Sequence, residues 1–284
     1  MRQTGYVPAA RGPWLRRAIL IVAGLVWLVL MAWVGNLPSA ERRAVLPDLG
    51  STSTQESVHA GDTRYGSIYR DGERVGLAAV SLRPEGDGFR LEQSTALDVV
   101  VLEEPRRVEA SLSARLSSYC SIRSISSVLR SSSARFALRG ERVVDGFRYT
   151  AELGGDPLAG VIPVDGPLYL PAGARAFVAR HLDVGAEFTF AAFDPLSMGT
   201  TELRLAVVGA DAQPGAEPSS WLLRESYRGL ENGVRIDGAG HTLRESGPMG
   251  LRIVFDDRSL EEMGAADWKP LDVVAATAVA TGPV

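Results

Sequence analysis

Lysine is nearly missing from this chain: Lys269 stands alone among thirty basic residues, the rest being arginine. Schiff-base catalysis and phosphate-loop chemistry, which both need a lysine, therefore have almost nothing to work with. Cysteine is as scarce. Cys120 is the only one, so no intrachain disulfide can form and the fold must rely on its own core. The three histidines, His59, His181 and His241, are too far apart in sequence to show metal-ligand spacing. No G-x-S-x-G, Walker loop or H-E-x-x-H is present. A net charge of −4 and a pI of about 5.5 leave no broad basic surface, which argues against nucleic acid as a partner.

What the chain does have begins with an uninterrupted apolar run, AILIVAGLVWLVLMAWVG, over residues 18–35. At about 1.5 Å per residue a helix of this length spans roughly 27 Å, close to the hydrocarbon thickness of a bilayer. Arg11, Arg16 and Arg17 crowd its N-terminal side and Trp14, Trp27 and Trp33 lie near or within it. Positive flanking charge favours the cytoplasmic side, so the expectation is a single-pass anchor in the inner membrane with residues 1–17 inside and the rest outside. A cleaved signal peptide is the competing reading, but the run exceeds the usual apolar core of about 7–15 residues. Pro38 also spoils the best small-residue cleavage site, after Ala40. Residues 36–61 are polar and rich in Ser, Thr, Pro and Gly, a composition that cannot bury a core and reads as a linker.

From residue 62 to 284 the pattern is β. Asp71-Gly72 and Asp145-Gly146 each sit between strand-like runs, a strong hairpin signal because the turn positions need positive φ. Residues 84–88, PEGDG, make another turn. Phe147, Tyr149, Ala151 and Leu153 share one face of a strand, and Phe136 and Leu138 lie opposite Arg135, Ala137 and Arg139. Around Ile122 to Ile125 the alternation falters. Residues 155–171, with four prolines, read as an irregular crossing, and residues 172–182 as a short helix with Phe177, Val178, His181 and Leu182 on one face. Asp194-Pro195 should stop a strand. Further turns are expected at Asn232-Gly233 and at 238–240, a second short helix at 259–268, and a final strand in LDVVAATAVATGPV. The fold class is thus mostly β: one large curved antiparallel sheet, half-barrel-like or split into two packed sheets, with one or two short helices.

Candidate chemistry is sparse. Cys120 with His181 or His241 as base would be the nucleophilic pair, but the thiol falls in a Ser-rich strand rather than at a helix N-terminus that would stabilise a thiolate. Asp256-Asp257 and Glu261-Glu262 are paired acids before a helix, where carboxylates are usually solvated. Arg106, Arg107, Arg115, Arg123, Arg130, Arg135 and Arg139 would line a positive sheet face able to meet an anionic lipid or glycan, or would be its solvated side. No residue stands out as catalytic, metal-binding or cofactor-binding.

Three stretches taken together resemble a known arrangement: YGSIYRDGERVG (65–76), LYLPAGARAFVARHLDVGAEFTFAAFDP (168–195) and VRIDGAGHTLRESGPMGLRI (234–253). They are similar to the β-rich region found upstream of transglutaminase-like cysteine-peptidase domains in exported bacterial proteins, and the resemblance covers roughly 65–282. It implies a non-catalytic envelope module, since the Cys-His-Asp domain of that family is not in this sequence. The expected function is therefore a membrane-anchored accessory module that binds a protein partner, such as a separately encoded transglutaminase-like peptidase. A carrier or sensor of an apolar, lipid-like ligand is the alternative, and an enzyme with a hidden site the third reading. No cofactor is implied.

Overall fold

The structure is a computed structural model and describes residues 63–101, 104–131, 134–153, 156–195, 198–212, 217–247, 250–256 and 271–272. The apolar run at 18–35, the linker and the second helix at 259–268 lie outside these residues. Among the described residues no helix is long and apolar enough to cross a membrane.

Among the described residues fourteen strands form one antiparallel sheet. In chain order they are β1 (Arg64–Arg70), β2 (Glu73–Glu85), β3 (Gly88–Val101), β4 (Glu104–Leu116), β5 (Ile122–Ser131), β6 (Arg135–Val143), β7 (Gly146–Leu153) and β8 (Asp156–Ile162), then β9 (Glu187–Asp194), β10 (Gly199–Asp211), β11 (Ser220–Tyr227), β12 (Leu230–Ile236), β13 (Thr242–Ser246) and β14 (Leu251–Asp256). Their spatial order is β8-β7-β6-β5-β4-β3-β2-β1-β14-β13-β12-β11-β10-β9. Two meanders are thus joined at a seam where β1 pairs β14, Ile68 opposite Ile253. A short β15 (Leu271–Asp272) pairs β3 in parallel at Val99 and Val100.

The turns follow from local chemistry. Asp71 and Gly72 take φ of 50° and 85°, and Arg228 and Gly229 take 53° and 83°, the positive values that two-residue hairpins demand. The Arg228-Gly229 turn replaces the one expected at Asn232-Gly233, which instead lies within β12 with Asn232 opposite Glu225. The faltering alternation at Ile122 to Ile125 is a bulge: Arg115 pairs Ser124 but Leu116 pairs Ile122, and the extra residue lets both Ile122 and Ile125 reach the core. The 155–171 crossing contains β8, because a strand at the sheet's edge accepts Pro157, whose missing N–H has no ladder partner to serve. Asp194 ends β9 and Pro195 turns away, as expected.

The strands run in one continuous sheet that curves without closing. Phe147 of β7 and Phe193 of β9, from opposite ends of the strand order, bring their rings to 5.0 Å. The only helix among the described residues, α1 (Pro171–Val178), packs against β9 and β10. It is shorter than expected, since Arg180 and His181 donate to Phe177 and Val178 carbonyls in tight i→i+3 bonds that end it. The residues before it tie the start of β5 to β9: Ile122 N–H donates to the Leu168 carbonyl, and Tyr169 exchanges bonds with Ala191 and Phe193. Two apolar clusters fill the concave side. One, around Leu203, Leu205, Leu223, Val234 and Phe193, packs against α1, and the other, around Ile68, Leu97, Val108 and Ile253, lies at the β1–β14 seam.

Candidate functional site

Helix α1 begins with Pro at its first turn, whose fixed φ suits that position. Its small residues Ala172, Gly173, Ala174 and Ala176 let the backbone lie close to the sheet. Gly173 is required: a Cβ there would sit 2.6 Å from the Cys120 carbonyl oxygen, a backbone atom that cannot yield. This close approach drives Arg175 into the concave wall. Its side chain, and those of Glu225 and Glu245, are 7%, 0% and 10% exposed.

Arg175 is saturated. Nε donates to Glu225 Oε2 at 2.7 Å, and Nη2 to Glu225 Oε1 and Glu245 Oε1, both at 2.9 Å. Nη1 donates to Glu245 Oε2 at 2.8 Å and to Thr242 Oγ1 at 3.4 Å. Burial acts against the guanidinium charge, but the two carboxylates outweigh it and hold Arg175 well above its ordinary value. Burial pushes Glu225 up from the usual carboxylate range, against the pull of Arg175 and a hydrogen bond from Asn232. One cation faces two carboxyl groups, so the cluster carries an excess of one negative charge when both are ionised.

The cluster borders a cavity of about 170 Å³ on the concave side. Ala78 and Val80 of β2, Ala110 and Leu112 of β4, Leu138 of β6 and Ile253 and Phe255 of β14 give it an apolar surface. Gln93, Thr95 and Ser127 add a thin polar band, and Leu170, Pro171 and Ala172 at the start of α1 complete it. Arg175 and Glu245 both line it, so the charged group stands at one wall of a greasy chamber. A second hollow of about 310 Å³ at the β1–β2 turn is built from turn residues such as Asp71 and Gly72 and gathers no convergent polar set.

The residues singled out by sequence are scattered elsewhere. Cys120 is not in a strand: it occupies the tight β4–β5 turn at φ 60°, with its N–H donating to Ser117 O at 2.9 Å. The serines explain this, since Ser117 Oγ accepts from both Tyr119 and Ser121 N–H and offers the backbone a turn instead of a ladder. Burial pushes the thiol up to about 11, only partly opposed by Arg180, so the protonated form dominates near neutrality. His181 packs between the Phe177 and Phe188 rings at 5.6 and 6.4 Å. His241 Nδ1 lies 2.9 Å from Asp237 Oδ2 in the β12–β13 turn. Asp237, despite a desolvation cost, is held below its usual value by that histidine. His59, Asp257, Glu261 and Glu262 fall outside the described residues, while Asp256 ends β14 opposite Tyr65. Among the described residues no three His, Cys, Asp or Glu side chains gather into a metal site.

The arginine series does not make a uniform positive face. Arg107 binds Asp98 through Nε at 2.8 Å and Nη2 at 3.0 Å, Arg123 reaches Asp87 at 2.6 Å, and Arg115 lies 3.5 Å from Glu85. Arg130 and Arg135 face each other across β5 and β6 on the exposed side, with Arg139 further along the same strand.

Sequence reading missed the Arg175, Glu225 and Glu245 group. The signal was present in period: Glu225 falls on the inward face of β11 with Leu223 and Tyr227, and Arg175 sits in an otherwise apolar helical stretch. A charge in the apolar phase of a strand is the mark of a buried polar partner.

No protein-family model and no curated protein matches the chain. Its fold is similar to two solved structures. One is a β-barrel-like protein of the domain of unknown function DUF1849 from Brucella abortus, at 12% identity and a TM-score of 0.47, covering 69% of this chain and 99% of that one. The other is a DUF1089 family protein from Pseudomonas aeruginosa, at 13% identity and a TM-score of 0.36, covering 72% of this chain and 95% of that one.

Proposed function

We propose that this chain is a membrane-anchored, non-catalytic binding module that holds a small, mainly apolar ligand on the concave side of its rolled sheet. The observation that carries this is the cavity itself. Apolar cavities of about 150 Å³ bind a benzene-sized molecule, and ligand sites are characteristically apolar chambers with a few convergent polar groups. The 170 Å³ chamber beside Arg175 and Glu245 has that composition. The anchor at 18–35, with the N-terminus inside, would place the module on the extracytoplasmic face of the inner membrane, where apolar molecules partition. The buried Cys120 thiol, pushed up to about 11, supports the non-catalytic part of the reading, since acyl transfer needs a thiolate.

Two measurements test it. The full chain in nanodiscs is titrated with toluene while its unfolding midpoint is followed. A ligand that binds only the folded state raises that midpoint with concentration. Ala110→Leu, which fills the chamber, should abolish the rise, and a folded protein that shows no rise has no such site. For the tether, protease added to sealed spheroplasts should cut beyond residue 60, and protection of that region rejects the topology.

A second reading, binding of an envelope protein such as a transglutaminase-like peptidase, is favoured by one feature. Strand β8 is a sheet edge with Leu158 and Val161 55% and 52% exposed, the kind of edge that accepts an added strand. Cross-linking from position 161 in cells would identify that partner.

A further inference from the structure

A buried arginine beside an apolar chamber suggests, at first sight, a seat for the carboxylate of a fatty acid. The hydrogen bonds point the other way. All of the donor capacity of Arg175 is already committed: Nε and both terminal nitrogens donate to Glu225 and Glu245, and Nη1 also reaches Thr242. A ligand anion would have to break one of these bonds, and it would add charge to a cluster already short of cations. What the wall retains is acceptor capacity. An ionised carboxylate offers about four lone-pair positions. Each Glu245 oxygen accepts one bond from Arg175, which leaves about half of that capacity unused on the side chain that lines the chamber.

The charge balance reinforces the argument. One guanidinium faces two carboxyl groups that are almost wholly buried. An uncompensated charge in such surroundings is costly and must be met by a proton or by a cation. The chamber brings a ligand atom to Glu245, where that cation can come from outside.

We infer that the chamber selects ligands whose apolar body ends in a primary ammonium, with the ammonium N–H groups donating to Glu245 and the body lying against Ala78, Ala110, Leu138 and Phe255. This rests on the binding function proposed above and goes further by fixing the head group. The chamber makes the site, and the unequal charge of its wall sets what it takes.

The test uses the full chain in nanodiscs near neutral pH with four probes of one ring each: toluene, benzyl alcohol, benzylamine and benzoate. Benzylamine should bind roughly ten- to a hundredfold tighter than benzoate, the range of one charge-assisted hydrogen bond, and tighter than toluene, with benzyl alcohol between. Glu245→Gln keeps one of the two acceptors for Arg175 while removing the charge, and should lower the benzylamine-to-toluene affinity ratio by about tenfold. Benzoate binding as tightly as benzylamine, or benzylamine binding no tighter than toluene, overturns the head-group assignment while leaving the cavity reading in place. Failure of all four probes on a folded protein overturns both. Should Glu245→Gln not fold, the ranking of the four probes on the unaltered chain decides alone.

Discussion

The two apolar clusters are made by the same concave face of the same sheet, yet they are completed differently. The cluster under α1 is aromatic and tight: Phe147, Phe193, Leu203, Leu205, Leu223, Val234 and Ile236 have no exposed surface, and Tyr227 buries its hydroxyl by donating to the Phe193 carbonyl at 2.9 Å. The cluster at the β1–β14 seam is built of aliphatic residues, Ile68, Val75, Leu97, Val99, Val108, Leu129, Leu251 and Ile253, with Ala78. No described helix covers it. The first is therefore closed by an element that must be pinned in place, and the pin is ionic. The second is closed without a described helix, its aliphatic residues packing against Phe136 and Phe255. The chamber lies on the border, lined by Ile125 and Leu138 from one and Ala78 and Ile253 from the other. Free volume collects where two packing solutions meet.

Removing the pin gives the sharpest contrast. Arg175→Met should cost about 3–5 kcal/mol, because it strands two buried carboxyl groups, whereas adding Glu225→Gln and Glu245→Gln to it should recover a large part. Urea denaturation measures both. If Arg175→Met costs no more than a surface substitution, the helix-covered half does not depend on its ionic closure.

Equal deletions in the two clusters should differ next. Leu223→Ala in the α1 cluster should fall near 4 kcal/mol and Ile253→Ala at the seam near 2 kcal/mol, within the usual range of about 2–5 kcal/mol for such truncations. Ile253 already borders empty space, so it has fewer contacts to lose. Equal costs would mean the two clusters are packed alike.

Alkaline pH should single out the α1 cluster, to which Cys120 belongs. The thiol is raised from 9.0 to about 11 in the folded protein. Between those values the unfolded chain has lost the proton and the folded chain retains it, so stability falls as pH rises through that window. The full loss is about 3 kcal/mol at roughly 1.4 kcal/mol per unit. Cys120→Ala should flatten that part of the stability–pH curve, and an unchanged slope would show that the thiol is not buried as described.

The smallest effect belongs to the outer face. Arg107→Ala removes a two-bond contact to Asp98 that is open to solvent and should cost about 0.2–1 kcal/mol, less at high salt. A larger loss would mean the convex face contributes to closure as the concave one does.

Much of this fold is legible in the sequence because short-range chemistry dictates it. Asp71-Gly72 announces its turn, and the face shared by Phe147, Tyr149 and Ala151 is plain from spacing alone. The misreadings arise where a residue answers to a distant partner. Asn232-Gly233 has the chemistry of a turn, but Arg228-Gly229 takes that role and Asn232 is drawn into the sheet opposite Glu225. Cys120 looks like a strand residue until the serine hydroxyls on either side are seen to close a turn. The candidate site was hidden for the same reason. Arg175, Glu225 and Glu245 are 50 and 70 positions apart, and only the rolled sheet brings them together.

The seam between β1 and β14 bears on how the chain assembles. Every other neighbouring pair among the fourteen strands is a hairpin between consecutive strands, so each meander can zip from local contacts within its own stretch. At the seam, Tyr65 meets Asp256, roughly 190 residues further along, and closing so long a loop is entropically slow. The connectivity therefore predicts that each meander pairs its own strands before the seam forms. Their union should come late, and it completes the chamber, whose wall draws mainly on β2 to β6 of the first meander, with Thr242, Glu245, Ile253 and Phe255 added by the second.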